Sequence, residues 1–323
     1  MDSDILKKAL AFHRISEEHL IQPLSGGTYN AVYEFRKQKK HFVIRIGKIE
    51  CDIDTTDGMI EWMQYLDFKN AAVPRLVKSR HGNPVEYIPT PDGVYSVDVT
   101  EKIEGTLARV LVRENMDISW AKTFGQAVGK MHRLGSTNPP ENMLKVRPHW
   151  NQIHNDFNSP RKLTEDEALL CRKHADILTR IHYLPKTPDT YGLVHVDLHL
   201  DNIMVSTQVA SITMLDFDDV CYGWFVMDLV SPITDIVVCH PGTNKDDIIN
   251  TYLTEAIAGY QLEHEISSHA RGTIPLFLSL LEIEFYARFH TMKTLQHKNW
   301  WVNTFMDGRK QRIIEGIPFV NIL

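Results

Sequence analysis

Along the first hundred residues, apolar positions come in short or alternating runs. "AVYEFRK" and "HFVIRIG" have this strand pattern, and "KQKK" between them suits a hairpin turn. "GMIEWMQYLDFKN" breaks the alternation, because Met59, Trp62, Met63 and Leu66 recur on one helical face. "GVYSVDVTEKI" returns to strand. After Gly105 the period lengthens. "SWAKTFGQAVGKMHRLG" sets Trp120, Phe124, Val128, Met131 and Leu134 at helical spacing, with Ser119 as the expected N-cap and Gly135 as the expected C-cap. "TEDEALLCRKHADILTRIHYL" predicts a further helix, acidic at its start and basic near its end, the order that suits a helix dipole. "GLVHV", "NIMVS" and "SITMLDF" predict short strands around turns, and the chain from residue 246 onward reads mainly helical. A β-rich part followed by an α-rich part is an α+β pattern, with its boundary near Glu104 and Gly105.

Composition narrows the class. A chain of 323 residues can hold two core-forming units or one large bilobal domain. Hydrophobic residues at 43% and charged residues at 24% fit a soluble globular protein. A net charge of −6 argues against a dedicated nucleic-acid binder, which needs a basic surface for phosphates. Cys51, Cys171, Cys221 and Cys239 are scattered with no CxxC spacing, so neither a disulfide framework nor a cysteine-based zinc site is expected. The first twenty residues are charged, and no apolar run is long enough to span a membrane. These features predict a reduced, cytoplasmic protein without membrane or nucleic-acid partners.

The readable chemistry is concentrated in "YGLVHVDLHLDNIMVSTQVASITMLDFDDV", residues 191–220. Two histidines, Asp197, Asp201 and Asn202 fall within eight residues, and Asp216, Asp218 and Asp219 follow. Three readings compete. His195 and His199 stand at i,i+4, a zinc-ligand spacing on a helix. The segment, however, is β-branched and strand-like, and the Glu of an HExxH site is missing. A hydrated acidic loop would impose no spacing, and the apolar flanks oppose it. The third reading takes H-x-D-x-x-x-x-N with the later Asp216 as phosphoryl-transfer chemistry. Transfer needs one carboxylate at the acceptor hydroxyl and hard oxygen ligands for a metal on the phosphates.

H-x-D-x-x-x-x-N followed by "LDFDD" resembles the catalytic and metal loops of the protein-kinase-like superfamily. The longer "HVDLHLDN…LDFDDVCYGWFVMDLV" resembles the aminoglycoside and choline phosphotransferase family, including its homoserine-kinase-like members. The order of two-glycine loop, strand cation, hinge, catalytic loop and metal loop covers nearly the whole chain. The resemblance implies a bilobal protein-kinase-like fold, with residues 1–104 as nucleotide-binding lobe and hinge and 105–323 as helical catalytic lobe. It implies ATP and Mg2+ as cofactors and a small-molecule hydroxyl acceptor. Asp197 is then the base or orienting group, with Asn202 and Asp216 as metal ligands. Ser25, Gly26, Gly27 and Thr28 cover the phosphates, and Asn30 braces nearby. Arg45 takes the place of the ATP-binding Lys; the alternative is a surface arginine paired with Glu34 or Glu50. The adenine edge would meet backbone groups near Glu101 and Ile103.

Other positions follow from the same resemblance. His195 and Asp228 brace the two loops. His199 either donates to the transferred phosphate or has no catalytic share. Asp218 stands near the metals or the acceptor, Asp219 is a turn former or a neighbour of the site, and Asp201 is solvated. The family pairs the strand cation with a helix Glu, but the corresponding place here is near Met59, and Glu61 is roughly 200° around the helix. On the acceptor side, one of Trp300 and Trp301 is a candidate cleft wall, with Glu282, Glu284 and Asp235 as candidate partners for a cationic amine, or as a structurally paired acidic face. The function implied is an ATP- and Mg2+-dependent phosphotransferase for a small polar substrate, with amine-bearing metabolites and antibiotics among the candidates. A Ser/Thr protein kinase of the same fold is the alternative, opposed by the lack of an A-P-E segment. A nucleotide-binding pseudokinase regulator is another, motivated by Met59 and opposed by the retained Asp197, Asn202 and Asp216.

Overall fold

The computed structural model describes all residues except 1, 25–29, 50–51, 138, 142–146, 153–163, 207, 209, 241–243, 292–298 and 323. After helix α1 (Ser3–Phe12), strands β1 (Leu20–Pro23), β2 (Asn30–Lys37) and β3 (Lys40–Lys48) follow. Helix α2 (Ile53–Phe68) leads to β4 (Val85–Thr90) and β5 (Gly93–Glu101). The five strands form one antiparallel sheet in the order β1-β2-β3-β5-β4. The expected β2–β3 hairpin is present. Gln38 (φ 50°) and Lys39 (φ 68°) both take the left-handed conformation that a two-residue hairpin turn demands.

Side chains alternate across a strand, so this sheet has two different faces. Ile44, Ile46, Val97 and Val99 form a buried cluster with Ile5, Ala9 and Leu10 of α1. Arg45 and Asp98, partners across β3 and β5, belong to the opposite face. The predicted apolar face of α2 is buried, but not in that cluster. Met59, Trp62, Met63 and Leu66 join a second, larger core built mainly from residues beyond Gly105.

That core contains β6 (Thr106–Leu107), α3 (Ala108–Asn115), α4 (Ala121–Thr137) and α5 (Glu165–His182), then β7 (Tyr191–Val194), β8 (Ile203–Ser206), β9 (Ser211–Met214) and β10 (Cys221–Trp224). Helices α6 (Val226–Cys239), α7 (Lys245–Tyr260), α8 (Ile274–Thr291), α9 (Trp300–Met306) and α10 (Arg309–Glu315) complete it. Strands β7 and β10 pair with each other, and β6-β8-β9 form a small sheet. Thr164 and Glu167 close a capping box at the start of α5. Every residue of α6 is buried, as expected for a helix at the centre of a core. Two sequence expectations at α4 need correction. The helix starts at Ala121, so Ser119 is not its cap, and Gly135 lies inside it rather than at its end. A Cβ at Gly135 would meet Leu193 of β7 and Trp62 of α2 at ordinary contact distance. Among the described residues, no helix is long and apolar enough to cross a membrane.

Helices α4 and α7 meet through glycines. A Cβ on Gly125 would collide with the Ala256 carbonyl, and one on Gly259 with the Lys122 carbonyl. Backbone cannot yield as a flexible side chain does. Gly125→Ala is therefore expected to cost about 3 kcal/mol, read as a lower denaturation midpoint at unchanged slope. A wild-type midpoint would mean that the helices can part freely.

Candidate active site

The catalytic segment leaves β7 at Val194 and enters β8 at Ile203, and one carboxylate fixes its path. Asp228, in the first turn of α6, is fully buried and accepts hydrogen bonds from the backbone N–H of His195 (2.7 Å) and of Val196 (2.7 Å). His132 Nε2 lies 2.9 Å from the same carboxylate, and its Nδ1 lies 3.0 Å from the Tyr260 hydroxyl. The helix N-terminus favours a negative charge at this place. Val196 is held at φ 72°, and Asp197 follows it.

Asn202 donates from Nδ2 to both the carbonyl (2.8 Å) and the carboxylate (3.0 Å) of Asp197. Its amide nitrogen is thereby committed, which leaves Oδ1 as a hard acceptor. The Asn202 carbonyl accepts from Leu215 N–H (2.9 Å), so the β8–β9 hairpin returns Asp216 beside Asn202 as the spacing predicted. Asp216 has φ 61° and a half-exposed carboxylate. His195 is fully buried and meets the Leu215 carbonyl at 2.9 Å through Nε2. A carbonyl only accepts, so that nitrogen carries the proton. Burial lowers the His195 pKa and keeps the ring neutral. This is the bracing geometry expected of His195. It also directs the ring to the backbone rather than to a metal shared with His199. Among the described residues, no group of three or more His, Cys, Asp or Glu side chains is arranged to hold a metal ion. A set of one Asn and one Asp relies on phosphate oxygens and water for its remaining ligands.

His199 caps the short turn before Asn202. Its Nδ1 accepts from Asp201 N–H (3.2 Å), which assigns the proton to Nε2, 3.5 Å from Asp197 Oδ2. The ring faces the Asp197 carboxylate. Asp201 is not simply solvated: Arg109 Nε donates to it at 2.7 Å. The same guanidinium reaches Asp235 at 3.0 Å, and Asp235 accepts from Leu200 N–H at 2.8 Å. Asp235 is thus a buried brace of the catalytic turn and does not face an acceptor. Glu282 pairs with Arg309 (2.9 Å) and Glu284 with His174 (3.2 Å), so the paired-face alternative holds for both. Trp301 packs among Phe285, Phe289 and Phe305. Trp300 is exposed, with the Arg113 guanidinium 5.0 Å from its ring centre.

On the nucleotide side, Ser25, Gly26, Gly27 and Thr28 lie outside the described residues. Asn30, which follows them, crosses the backbone of Gly47 and donates to Asp218 at 3.2 Å. Arg45 donates from Nε to Asp98 (3.0 Å) and from Nη1 to Asp218 (2.6 Å), and Nη1 lies 3.6 Å from Asp216. Among the described residues, its ion pairs are with these three carboxylates and not with Glu61. Glu34 is occupied by His41 and Lys102 instead, and Glu50 is outside the described residues. Burial disfavours the Arg45 charge, but the three carboxylates outweigh it and raise its pKa. At the hinge, the Glu101 N–H is taken by the Arg75 carbonyl at 3.0 Å. Neither backbone group of Ile103 makes a hydrogen bond among the described residues.

The carboxylates are unevenly tuned. Burial, with Asp219 and Asp216 adding to it and His199 opposing, pushes Asp197 up to about 6. Burial and Asp218 raise Asp216. Burial also works on Asp218, but Arg45 and Asn30 prevail and hold it below its ordinary value. Asp219 is raised by burial and by Asp216 and Asp218, against His195 and Arg288. Asp98 is raised by burial, with Arg45 opposing. Sequence reasoning missed Asp98, Arg109, His132, Arg147 and Arg288. Arg147 donates to the Asp218 carbonyl at 2.9 Å, and the charge of Arg288 on α8 acts on Asp197 and Asp219. Each is brought in by tertiary pairing and carries no local motif.

The family model described as the phosphotransferase enzyme family matches residues 20–261. Over 98% of its length the chain is 27% identical to amicoumacin kinase of Bacillus subtilis (strain 168), covering 93% of that protein. Among solved structures, an amicoumacin kinase in complex with AMP-PNP, Ca2+ and Ami superposes with a TM-score of 0.87 at 23% identity, covering 100% of this chain and 96% of that one. A microcompartment-associated aminopropanol kinase gives 0.74 at 20% identity, over 97% and 98% of the two chains. A spectinomycin phosphotransferase in complex with ADP and spectinomycin gives 0.63 at 12% identity, over 95% and 94%. These likenesses show a protein-kinase-like fold, as the sequence predicted.

Proposed function

The chain belongs to the phosphotransferase enzyme family, and from that premise we propose that it moves the γ-phosphate of ATP, with Mg2+, to a hydroxyl of a small polar substrate. The observation that carries this reading is the convergence of Asp197, Asn202, Asp216 and Arg45, drawn from β3 and two loops, on one cleft edge. Residues 1–104 would serve as the nucleotide lobe and 105–323 as the catalytic and acceptor lobe, working in the cytoplasm, where ATP is supplied. Asp197 would orient the acceptor hydroxyl and accept its proton. His199, with Nε2–H toward Asp197, would hold that carboxylate in place. Asn202 Oδ1 and Asp216 fit a hard divalent cation, which would neutralise phosphate charge when bound. Arg45 would grip the α/β-phosphates beneath Ser25, Gly26, Gly27 and Thr28, and the Ile103 backbone would meet the adenine.

The names of the relatives suggest where to look for the acceptor. Hydroxyl substrates carrying an amine, with amicoumacin, aminopropanol and spectinomycin as starting members, form the first panel. ATP consumption is expected to rise with at least one of them in Mg2+. If no amine-bearing acceptor is phosphorylated while a protein substrate is labelled, the small-molecule reading is wrong.

The raised Asp197 makes a pH prediction. A carboxyl with pKa near 6 is protonated, and so unable to accept a proton, below that pH. The kcat/KM of the free enzyme is expected to fall about tenfold per pH unit on the acid side of pH 6 and to level off above it. A profile flat down to pH 4.5 would exclude a base of this pKa.

A further inference from the structure

The strand cation of this protein has a counter-ion that the sequence did not suggest. The geometry points to Asp98 as the residue that positions Arg45 for the nucleotide phosphates, in the role for which a helix carboxylate was expected on α2. The inference rests on the kinase reading and deepens it.

Four observations support the assignment. Arg45 and Asp98 face each other in the β3–β5 register, so the sheet itself sets their separation. Asp98 is 5% exposed and engages Arg45 at Nε, the rear of the guanidinium fork, at 3.0 Å. The front is differently occupied. Nη1 is held by Asp218, a neighbour of the metal-loop Asp216, and Nη2 makes no hydrogen bond among the described residues. A bound divalent cation competes for the metal-loop carboxylates, and the phosphates it brings compete for Nη1 and Nη2. Asp98 competes for neither, so it can keep the fork aimed while its front partners exchange. Finally, among the described residues none of the Arg45 ion pairs is with a carboxylate of α2.

The test measures binding of Mg2+·AMP-PNP and of adenosine by calorimetry to the full-length wild type, Asp98→Asn and Glu61→Gln. Asp98→Asn is expected to weaken Mg2+·AMP-PNP by about tenfold or more while leaving adenosine unchanged, because in the proposed reading Arg45 meets the phosphates of the nucleotide and not its nucleoside. A residue that merely supports the fold would move both ligands together. Glu61→Gln is expected to change neither. In an Arg45→Ala background, Asp98→Asn is expected to add no further loss, since its effect passes through Arg45. Should Asp98→Asn not fold, Asp98→Glu, which keeps the charge but displaces it by one methylene, is expected to show the same selective loss. Wild-type affinity for Mg2+·AMP-PNP in the folded Asp98 variants, or an equal loss in Glu61→Gln, would overturn the inference while leaving the kinase reading intact. A wild-type protein that binds no Mg2+·AMP-PNP would overturn both.

Discussion

Asp197→Asn lowers kcat by about 10²–10⁴-fold in the expected result, the usual contribution of a positioned general base. The substitution is nearly isosteric. Its Oδ1 can still accept from Asn202 Nδ2, which now donates to the Asp197 carboxylate at 3.0 Å, so the loop should keep its shape. What is lost is the charge that attracts the acceptor proton. In the proposed reading the nucleotide is held elsewhere, by Arg45 and by the backbone around Ile103, so Mg2+·AMP-PNP affinity should stay close to that of the wild type. The residual activity should also lose the acid limb near pH 6, because the group that titrates there has gone. Steady-state kinetics across pH with whichever acceptor the panel identifies would check both parts. Retention of kcat in the folded variant would remove Asp197 from the chemistry. Loss of kcat with the acid limb unchanged would pass the titration to a neighbour, with Asp219 the first candidate.

The second large effect is on stability. Asp228→Ala removes the acceptor for two buried backbone N–H groups and the partner of a buried imidazole at once. Unpaired buried donors cost far more than a lost surface contact, about 1–3 kcal/mol for each group left unsatisfied. A loss of that size is expected from urea denaturation followed by tryptophan fluorescence. Asp228→Asn should fall between, since its amide keeps one acceptor oxygen but turns a donor toward a donor. A loss below about 1 kcal/mol for Asp228→Ala would mean that water enters to replace the carboxylate, and the bracing role would have to be abandoned.

The uneven legibility of this site has a physical origin. Asp197 and Asn202 could be read because five residues of chain suffice to bring them into hydrogen-bonding distance, and the β8–β9 hairpin then returns Asp216 by local turn geometry. His195 and Asp228 could be read for the role that their motif implies, although His132, the partner of Asp228, and Tyr260, which meets His132 in turn, lie on α4 and α7. Asp98 could not be read, because its pairing with Arg45 depends on a strand register set between segments 53 residues apart. Asp201 was misjudged for a similar reason: a short acidic side chain in a polar loop looks solvated until Arg109, 92 residues earlier, folds against it. Gly135 satisfied the rule for a helix end, yet the helix runs on to Thr137. The broad β-then-α order was legible from periodicity, whereas the membership of α2 in the larger core was not, since an apolar helix face does not specify which neighbour covers it.

Val196 and Asp216 remain in the left-handed region, at φ 72° and 61°, one on each side of the reaction centre. For a β-branched valine this is a genuine outlier, and such residues cost about 1–3 kcal/mol each. The hydrogen bonds of Asp228 to the Val196 backbone and of His195 to Leu215 are what hold them there. Part of the folding free energy of this chain is therefore stored as tension around Asp197 and Asn202. A laboratory selection for heat resistance alone would be drawn to these two positions first, and the variants it favoured would gain lifetime by relaxing the geometry that turnover requires.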